Sequence, residues 1–335
     1  MTELRPLEAE LAISGAGMPP VEELPDDDSL SSAGQGLADK PLSPSRLAWR
    51  RFRRHKLAMA SALILIVMAV LVFFPQLVTK WGVNEQTGLR QSAPTSGHPF
   101  GTDTISRDLL TRVLHGGQIS LKVGLAVAFV SAFIGTTIGA IAGFYGKWID
   151  NALMRATDLF LAVPLLVVLI LAGKLPERYA LAETLIGPTG SVRAIITILS
   201  LFFWMPMARL VRGQILSLKE KEFVEAARAL GASDFRIMVR HLVPNCTGVI
   251  IVNVTLSVAA AILTESALSF LGFGVQTAIT PTWGNLLDGV KSYIRTSAWL
   301  VWFPGLAILI TVLCVNYLGD GLRDALDPRQ RRNKA

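Results

Sequence analysis

Glu265 sits inside the apolar run TLSVAAAILTESALSFLG. An ionisable group buried in such a stretch is costly and is a functional candidate by default. It can line a translocation pathway or tie a helix bundle together through hydrogen bonds. Its place near the end of the run, where a carboxylate can reach water, favours the second role. Ser266 beside it offers a hydroxyl nucleophile, but no histidine lies in any apolar run to act as its base. Asp158, three residues after Arg155 at the edge of another apolar run, reads as half of an ion pair at a membrane surface. The histidines His55, His98, His115 and His241 are scattered without neighbouring thiols, so no metal pattern is formed. Cys246 and Cys314 lie in or at the start of apolar runs, and no disulfide framework follows from them. Gly143-x-x-Gly146-Lys147-Trp148 lacks the spacing and the final Ser/Thr of a phosphate loop, and Leu114-His115-Gly116-Gly117-Gln118 has no such loop to work with. No cofactor is expected on this chain, and it cannot hydrolyse ATP by itself.

A second kind of chemistry, recognition, is written into residues 213–244, and above all into Ser217 to Pro244, SLKEKEFVEAARALGASDFRIMVRHLVP. Its charge keeps it in water. Ser217 and Glu220 have the spacing of a capping box, from which good helix formers run to Leu230. Gly231 suits a left-handed C-cap, and Ser233 suits the N-cap of a second short helix ending before Pro244. Phe223, Ala226, Ala227 and Leu230 fall at i, i+3, i+4 and i+7, an apolar stripe with a shallow alanine centre. Glu220, Glu222 and Glu225 come early and Arg228 late, in keeping with the helix dipole. A helix of about 13 residues is marginal alone in water, so the stripe needs a partner. A groove on another protein and the chain's own membrane helices are both open to it.

These segments must be positioned by membrane helices. Hydrophobic residues make up 51% of the chain and charged ones 17%, with a mean hydropathy of +0.48, too little charge to cover a soluble surface. Six apolar runs approach the length that crosses a bilayer: about 57–78, 119–144, 159–172, 194–211, 247–271 and 298–318. The third is short, so either Asp158 lies at the interface or the helix continues through Lys174. Pro206 predicts a kink in the fourth. With the N-terminus placed inside, twenty Lys and Arg fall on inner segments and nine on outer ones. This bias predicts both termini in the cytoplasm. The formal charge of +7 therefore reads as orientation in the membrane and not as nucleic-acid binding. Ser131, Gly135, Gly139 and Gly143 form a small-residue stripe that lets another helix come close, and packing inside the subunit is the reading preferred over a subunit contact. The segment 79–118, with Pro94, Pro99 and an amphipathic stretch from Ile105 to Leu114, is expected to form an external cap. Residues 1–45 carry Pro, Gly, Ser and Asp26-Asp27-Asp28 without an apolar core; they read as a disordered tail and not as a signal peptide. Residues 46–335 form the membrane domain.

Glu225-Ala226-Ala227, then three residues, Gly231, nine residues, and His241-Leu242-Val243-Pro244 resembles the EAA loop of bacterial ATP-binding-cassette (ABC) importer permeases. The family pattern has Ile and Leu where this chain has His241 and Val243, and the histidine resembles the peptide-importer branch. Further stretches are similar to the second (C-type) permease of dipeptide, oligopeptide and nickel importers: AWRRFRRHKLAM before the first run, His98 to Gly124, ESALSFLGFGVQ from Glu265, and PTWGNLL from Pro281. The likeness covers about residues 49–328, and the segment 174–192 looks longer than usual. The resemblance implies an all-α integral membrane protein, a six-helix permease bundle in the bacterial inner or plasma membrane, importing peptides without ATPase motifs of its own. It implies that Glu225, Ala226, Ala227 and Gly231 couple to the ATPase, with Phe223, Leu230, His241 and Pro244 completing the element. Expected partners are a homologous second permease, two cytoplasmic ABC ATPases holding ATP and Mg, an extracytoplasmic solute-binding protein and membrane lipid, with no nucleic acid. The alternatives are an ion-coupled secondary transporter using Glu265 and Asp158, or nickel-chelate import within the same family; glutathione-like compounds also fit.

Overall fold

The computed structural model describes residues 44–275 and 280–326. The expected tail lies almost wholly outside these residues, as do Gln276 and Arg329 to Lys334. The described chain is helical, and its only strand-like pairings among the described residues are the isolated bridges Gln86–Arg107 and Thr102–Asp108. In order the helices are α1 (Pro44–Arg54), α2 (Lys56–Phe73), α3 (Leu109–Tyr145), α4 (Lys147–Leu161), α5 (Leu165–Arg178), α6 (Ala180–Ile186), α7 (Val192–Leu218), α8 (Glu222–Ala229), α9 (Asp234–Ile237), α10 (Val243–Asn245), α11 (Thr247–Phe270), α12 (Trp283–Leu286) and α13 (Trp299–Leu326). A π-helical turn, Met238–Leu242, joins α9 to α10.

Five of these (α2, α3, α7, α11 and α13) are long and apolar enough to cross a membrane. The pair α4 and α5 passes the same test together but bends by 85° at its break. Pro164 explains the break: it has no N–H to donate, and it biases Val163 away from helical geometry. Of the two readings of the third run, the helix does continue through Lys174, to Arg178. Large apolar side chains face outward along the spans, among them Leu63, Phe133 and Trp302 at 63%, 76% and 64% exposure. A lipid or partner-covered surface accounts for this, and water does not.

Two boundaries differ from the sequence reading for clear reasons. The first run ends at Phe73, because Pro75 opens a 3₁₀ turn that closes the helix early. The second begins ten residues before Ile119: Asp108 caps α3 by accepting the Thr111 N–H at 2.8 Å, which draws Leu109 to Leu114 out of the expected cap segment and into the helix.

The small-residue stripe fixes the centre of the fold. Gly135 lies against Met207, Gly139 against Ala208 and Val211, and Gly143 against Ile215, so the stripe packs α3 on α7 inside the subunit. Around this pair, α11 and α13 close a core with Val258, Ile262, Leu300 and Val312. Residues 79–108 fold over one end of α3 and α13. Phe100 stacks on Phe303 with centroids 3.9 Å apart, His98 Nδ1 lies 2.9 Å from Asp108 Oδ1, and Trp299 donates its indole N–H to the Thr102 carbonyl at 3.4 Å.

Candidate functional site

The recognition segment begins where α7 ends. Ser217 lies inside the last turn of α7, so the expected capping box with Glu220 does not form: its backbone is already helical and cannot serve as an N-cap. The chain turns at Lys219 and Glu220, and α8 starts from Lys221, an extended N-cap at φ −91° and ψ 147° with no side-chain bond. The helix is therefore 8 residues long, shorter than the sequence suggested. Glu222 and Glu225 in its first turn and Arg228 in its last face the helix dipole in the favourable sense.

The end of α8 is as the sequence predicts. Gly231 takes φ +80°, its N–H donates to the Arg228 carbonyl at 2.9 Å, and the Ala232 N–H donates to the Ala227 carbonyl at 3.1 Å. These are the two bonds of a Schellman motif. Ser233 then caps α9 by accepting the Arg236 N–H at 3.4 Å. The second helix does not stop before Pro244. Val243 donates to the Met238 carbonyl five residues back, and this wider turn moves the carbonyls that the proline ring would strike. Helical geometry thus passes through exposed Pro244 to Asn245, whose side chain donates to the carbonyl of half-buried His241 at 2.6 Å.

The apolar stripe divides in two. Ala227, at 8% exposure, turns inward with Val224 and packs on Ile237, Met238 and Leu242 and on Phe144, Val211 and Ile215 of the α3–α7 pair. Ala227 is thus committed to the chain's own core and does not face a groove, because α9 folds back over it. Phe223, Ala226 and Leu230 point outward, at i, i+3 and i+7, with Leu230 at 89% exposure. Glu225 is exposed among them. Phe235 on α9, 70% exposed, joins the outward apolar set. The sequence reading missed it; the available signal was an aromatic set between Asp234 and Arg236 in a short charged helix.

The mount beneath this segment contains charge. Asp150, buried in the first turn of α4, accepts from Arg212 Nη2 at 2.6 Å and from its Nε. Asp158 pairs with Arg209 of α7 and not with Arg155 as expected, so the ion pair ties two helices together instead of bridging one turn of α4. Both Asp158 and Arg209 are about half exposed or more. Cys246, at the foot of α11, is a free, buried thiol that burial pushes up to about 11, which keeps it protonated and unreactive.

Glu265 occupies a different place. It is fully buried, so the expectation that it reaches water does not hold. Its Oε2 accepts from Ser120 of α3 at 3.2 Å and its Oε1 from Ser269 at 2.8 Å. Ser120 Oγ in turn accepts the Trp283 N–H at 3.2 Å, and the Trp283 indole donates to the Val113 carbonyl at 2.9 Å. Thr282 and Asn285 form a reciprocal capping box on α12. The carboxylate thus clips α3, α11 and α12 together. Neither it nor Asp158 forms a nucleophile–base pair, and the two share no site; the arrangement is a packed helix pair carrying a short helix with an exposed apolar face.

Residues 135–332 match the profile of the binding-protein-dependent transport system inner membrane component, and residues 43–94 match the N-terminal TM domain of oligopeptide transport permease C. The chain belongs to this transport family. It is 40% identical to the dipeptide transport system permease protein DppC of Bacillus subtilis (strain 168) over 87% of this chain and 88% of that one. It is also 40% identical to the oligopeptide transport system permease protein OppC of Escherichia coli (strain K12), over 85% of this chain and 91% of that one. A solved chain from inward-facing conformations of the MetNI methionine ABC transporter aligns with 64% of this chain and 96% of its own length at 18% identity and a TM-score of 0.49. The chain is thus an inner-membrane, multi-pass permease component of a binding-protein-dependent transport system. Helix α8 lies within the matched residues.

Proposed function

We propose that this chain is the second permease of an ABC importer that brings peptides into the cytoplasm, with α8 and its neighbour α9 as the element driven by the ATPase. The exposed set of Phe223, Ala226, Leu230 and Phe235 on a helix rigidly seated on α3 and α7 carries this reading. Glu225 adds a charged rim, and Gly231 fixes the exit of the helix. The peptide substrate is taken from the two permeases described above. ATP and Mg belong to the two partner ATPases, and this chain holds no cofactor.

In this reading the α4–α5 pair counts as one broken span, giving six spans with both termini in the cytoplasm. Residues 213–244 then lie inside and residues 79–108 outside, where the extracytoplasmic binding protein docks. A homologous second permease completes the pore. Closure of the ATPases pushes α8, and the push passes through Val224 and Ala227 into the α3–α7 pair. Because Gly139 allows backbone to meet backbone there, the pair moves as a unit. The ion-coupled alternative is weaker, since Glu265 is enclosed by hydroxyl donors and Asp158 is occupied by Arg209 at the surface.

Reconstitution of the whole importer tests the proposal. Leu230→Glu places a charge at the centre of the exposed set without touching the buried face. Binding-protein-stimulated ATP hydrolysis should fall about tenfold or more, the loss of one buried apolar contact at an interface, with membrane levels of the chain unchanged. Uptake of labelled dipeptides and longer peptides, competed by glutathione and by a nickel chelate, assigns the substrate. Wild-type coupling in Leu230→Glu, or uptake without ATP, would sink the reading.

A further inference from the structure

Helix α1 is the most basic element of the fold, and it stands at the door of the membrane. It ends at Arg54, and α2 enters its apolar run from Lys56. At about 1.5 Å per residue, the last guanidinium groups of α1 lie within a few ångströms of the plane where lipid phosphates sit. Phe52 is buried with Ala58 and Ala325 and holds α1 to the bundle, while Trp49, 60% exposed, stacks on Phe52 at 5.9 Å and faces outward. An indole on a basic helix at this level favours the headgroup region.

The arginines do not simply fringe this helix. Arg50, Arg51 and Arg54 line a pocket of about 540 Å³ together with His55, Gly321 and Asp324 at the end of α13. A Cβ at Gly321 would strike Ala58, so glycine is what lets α13 come this close to α2. His55 Nδ1 accepts the Ala58 N–H at 3.1 Å, which leaves its proton on Nε2, 3.9 Å from Asp324 Oδ2. Asp324 is the one acid among the described residues lining the pocket, where the guanidinium groups of Arg50 and Arg54 outnumber it. Arginine presents its donors in a planar fork that matches phosphate oxygens two at a time.

We propose that this pocket binds an anionic glycerophospholipid, Arg50 and Arg54 taking the phosphodiester and Asp324 accepting a headgroup hydroxyl. The site stands apart from α8 and from Glu265, and it does not depend on what the permease carries. Basic clusters directly beside a membrane span are suited to such lipids, at about 1 kcal/mol for each arginine near the surface, or roughly fivefold in affinity. The pocket adds position to that attraction.

The test uses the full chain in phosphatidylcholine bilayers doped with brominated phosphatidylglycerol. The quenching that disappears in Trp49→Phe reports lipid at α1. Arg54→Gln and Arg50→Gln should each weaken the preference for phosphatidylglycerol about fivefold. Arg53→Gln removes the same charge from the same helix but outside the pocket, and should change it by less than about twofold. Arg54→Lys, which keeps the charge and loses the fork, should fall between them. Equal losses in Arg53→Gln and Arg54→Gln would reduce the effect to diffuse surface charge and overturn the pocket. Displacement of the brominated lipid by inorganic phosphate would make it a free-anion site and overturn the lipid. A large gain in lipid binding on deleting residues 2–43 would make the acidic run Asp26-Asp27-Asp28 the resident occupant, which also overturns the proposal; unchanged binding supports it.

Discussion

A single carboxylate shows how far a residue's neighbours decide its role. Glu265 carries the type of charge that invites a transport-coupling reading, yet its oxygens are taken by Ser120 and Ser269 in a closed cluster. A group held this way acts through the hydrogen bonds it accepts, and the cost of losing them falls on assembly. Glu265→Gln keeps an acceptor of nearly the same volume and should leave the chain assembled with most of its transport. Glu265→Leu strips the partners of their acceptor at about 1–3 kcal/mol and should lower the amount of folded chain recovered in detergent. Size-exclusion profiles and uptake rates measured side by side separate the two cases. Normal assembly in both variants with transport lost would return Glu265 to the translocation pathway. The sequence placed this residue in the membrane correctly, but its real environment was hidden. Ser120 and Trp283 are 145 and 18 residues away along the chain, and no local pattern links them.

At the level of helices, what could be read in advance follows a simple rule: local geometry was legible and the choice of face was not. The Schellman end at Gly231 and the Ser233 cap depend on a few adjacent residues, and both are present. The start of α8 was misplaced because Ser217 has two uses, capping a new helix or finishing the old one, and the packing of α7 on α3 decides for the second. The same tertiary contact turned Ala227 inward and left Leu230 outside. The glycine stripe was legible because its chemistry is negative: small residues every fourth position have little purpose other than close approach. That approach can be tested with matched glycines. Gly139→Val pushes a branched side chain against Ala208 and Val211 and should cost about 1–3 kcal/mol or more. Gly213→Ala, on α7 with open space around its Cβ, should change stability by less than about 1 kcal/mol. Thermal unfolding in detergent reads both. Equal effects would mean that α3 and α7 do not meet along this stripe.

For the whole molecule, the decisive uncertainty of the sequence was the short third run, and the bend of 85° between α4 and α5 explains why it was hard to read. A straight helix gives one continuous apolar stretch; here the apolar residues are shared between two helices that Pro164 separates. The pair can cross the bilayer as one broken span or enter and leave on the same side, and the two cases invert everything that follows in the chain. If the pair crosses, Trp148 at the start of α4 and Arg193 at the start of α7 lie on opposite faces of the membrane. The positive charges then fall as the inside rule requires, with Lys219 sharing the face of Trp148 and Arg90 sharing that of Arg193. Cysteine substitutions at these four positions, labelled with an impermeant maleimide in right-side-out and inverted vesicles, measure this directly. Background should be low, because both native cysteines are buried in the fold. The expected pattern is Trp148→Cys and Lys219→Cys labelled in inverted vesicles, and Arg90→Cys and Arg193→Cys in right-side-out ones. If Trp148→Cys and Arg193→Cys label from the same side, α4 and α5 form a re-entrant loop, the number of crossings becomes odd, and α8 can no longer share a compartment with the N-terminal helix α1.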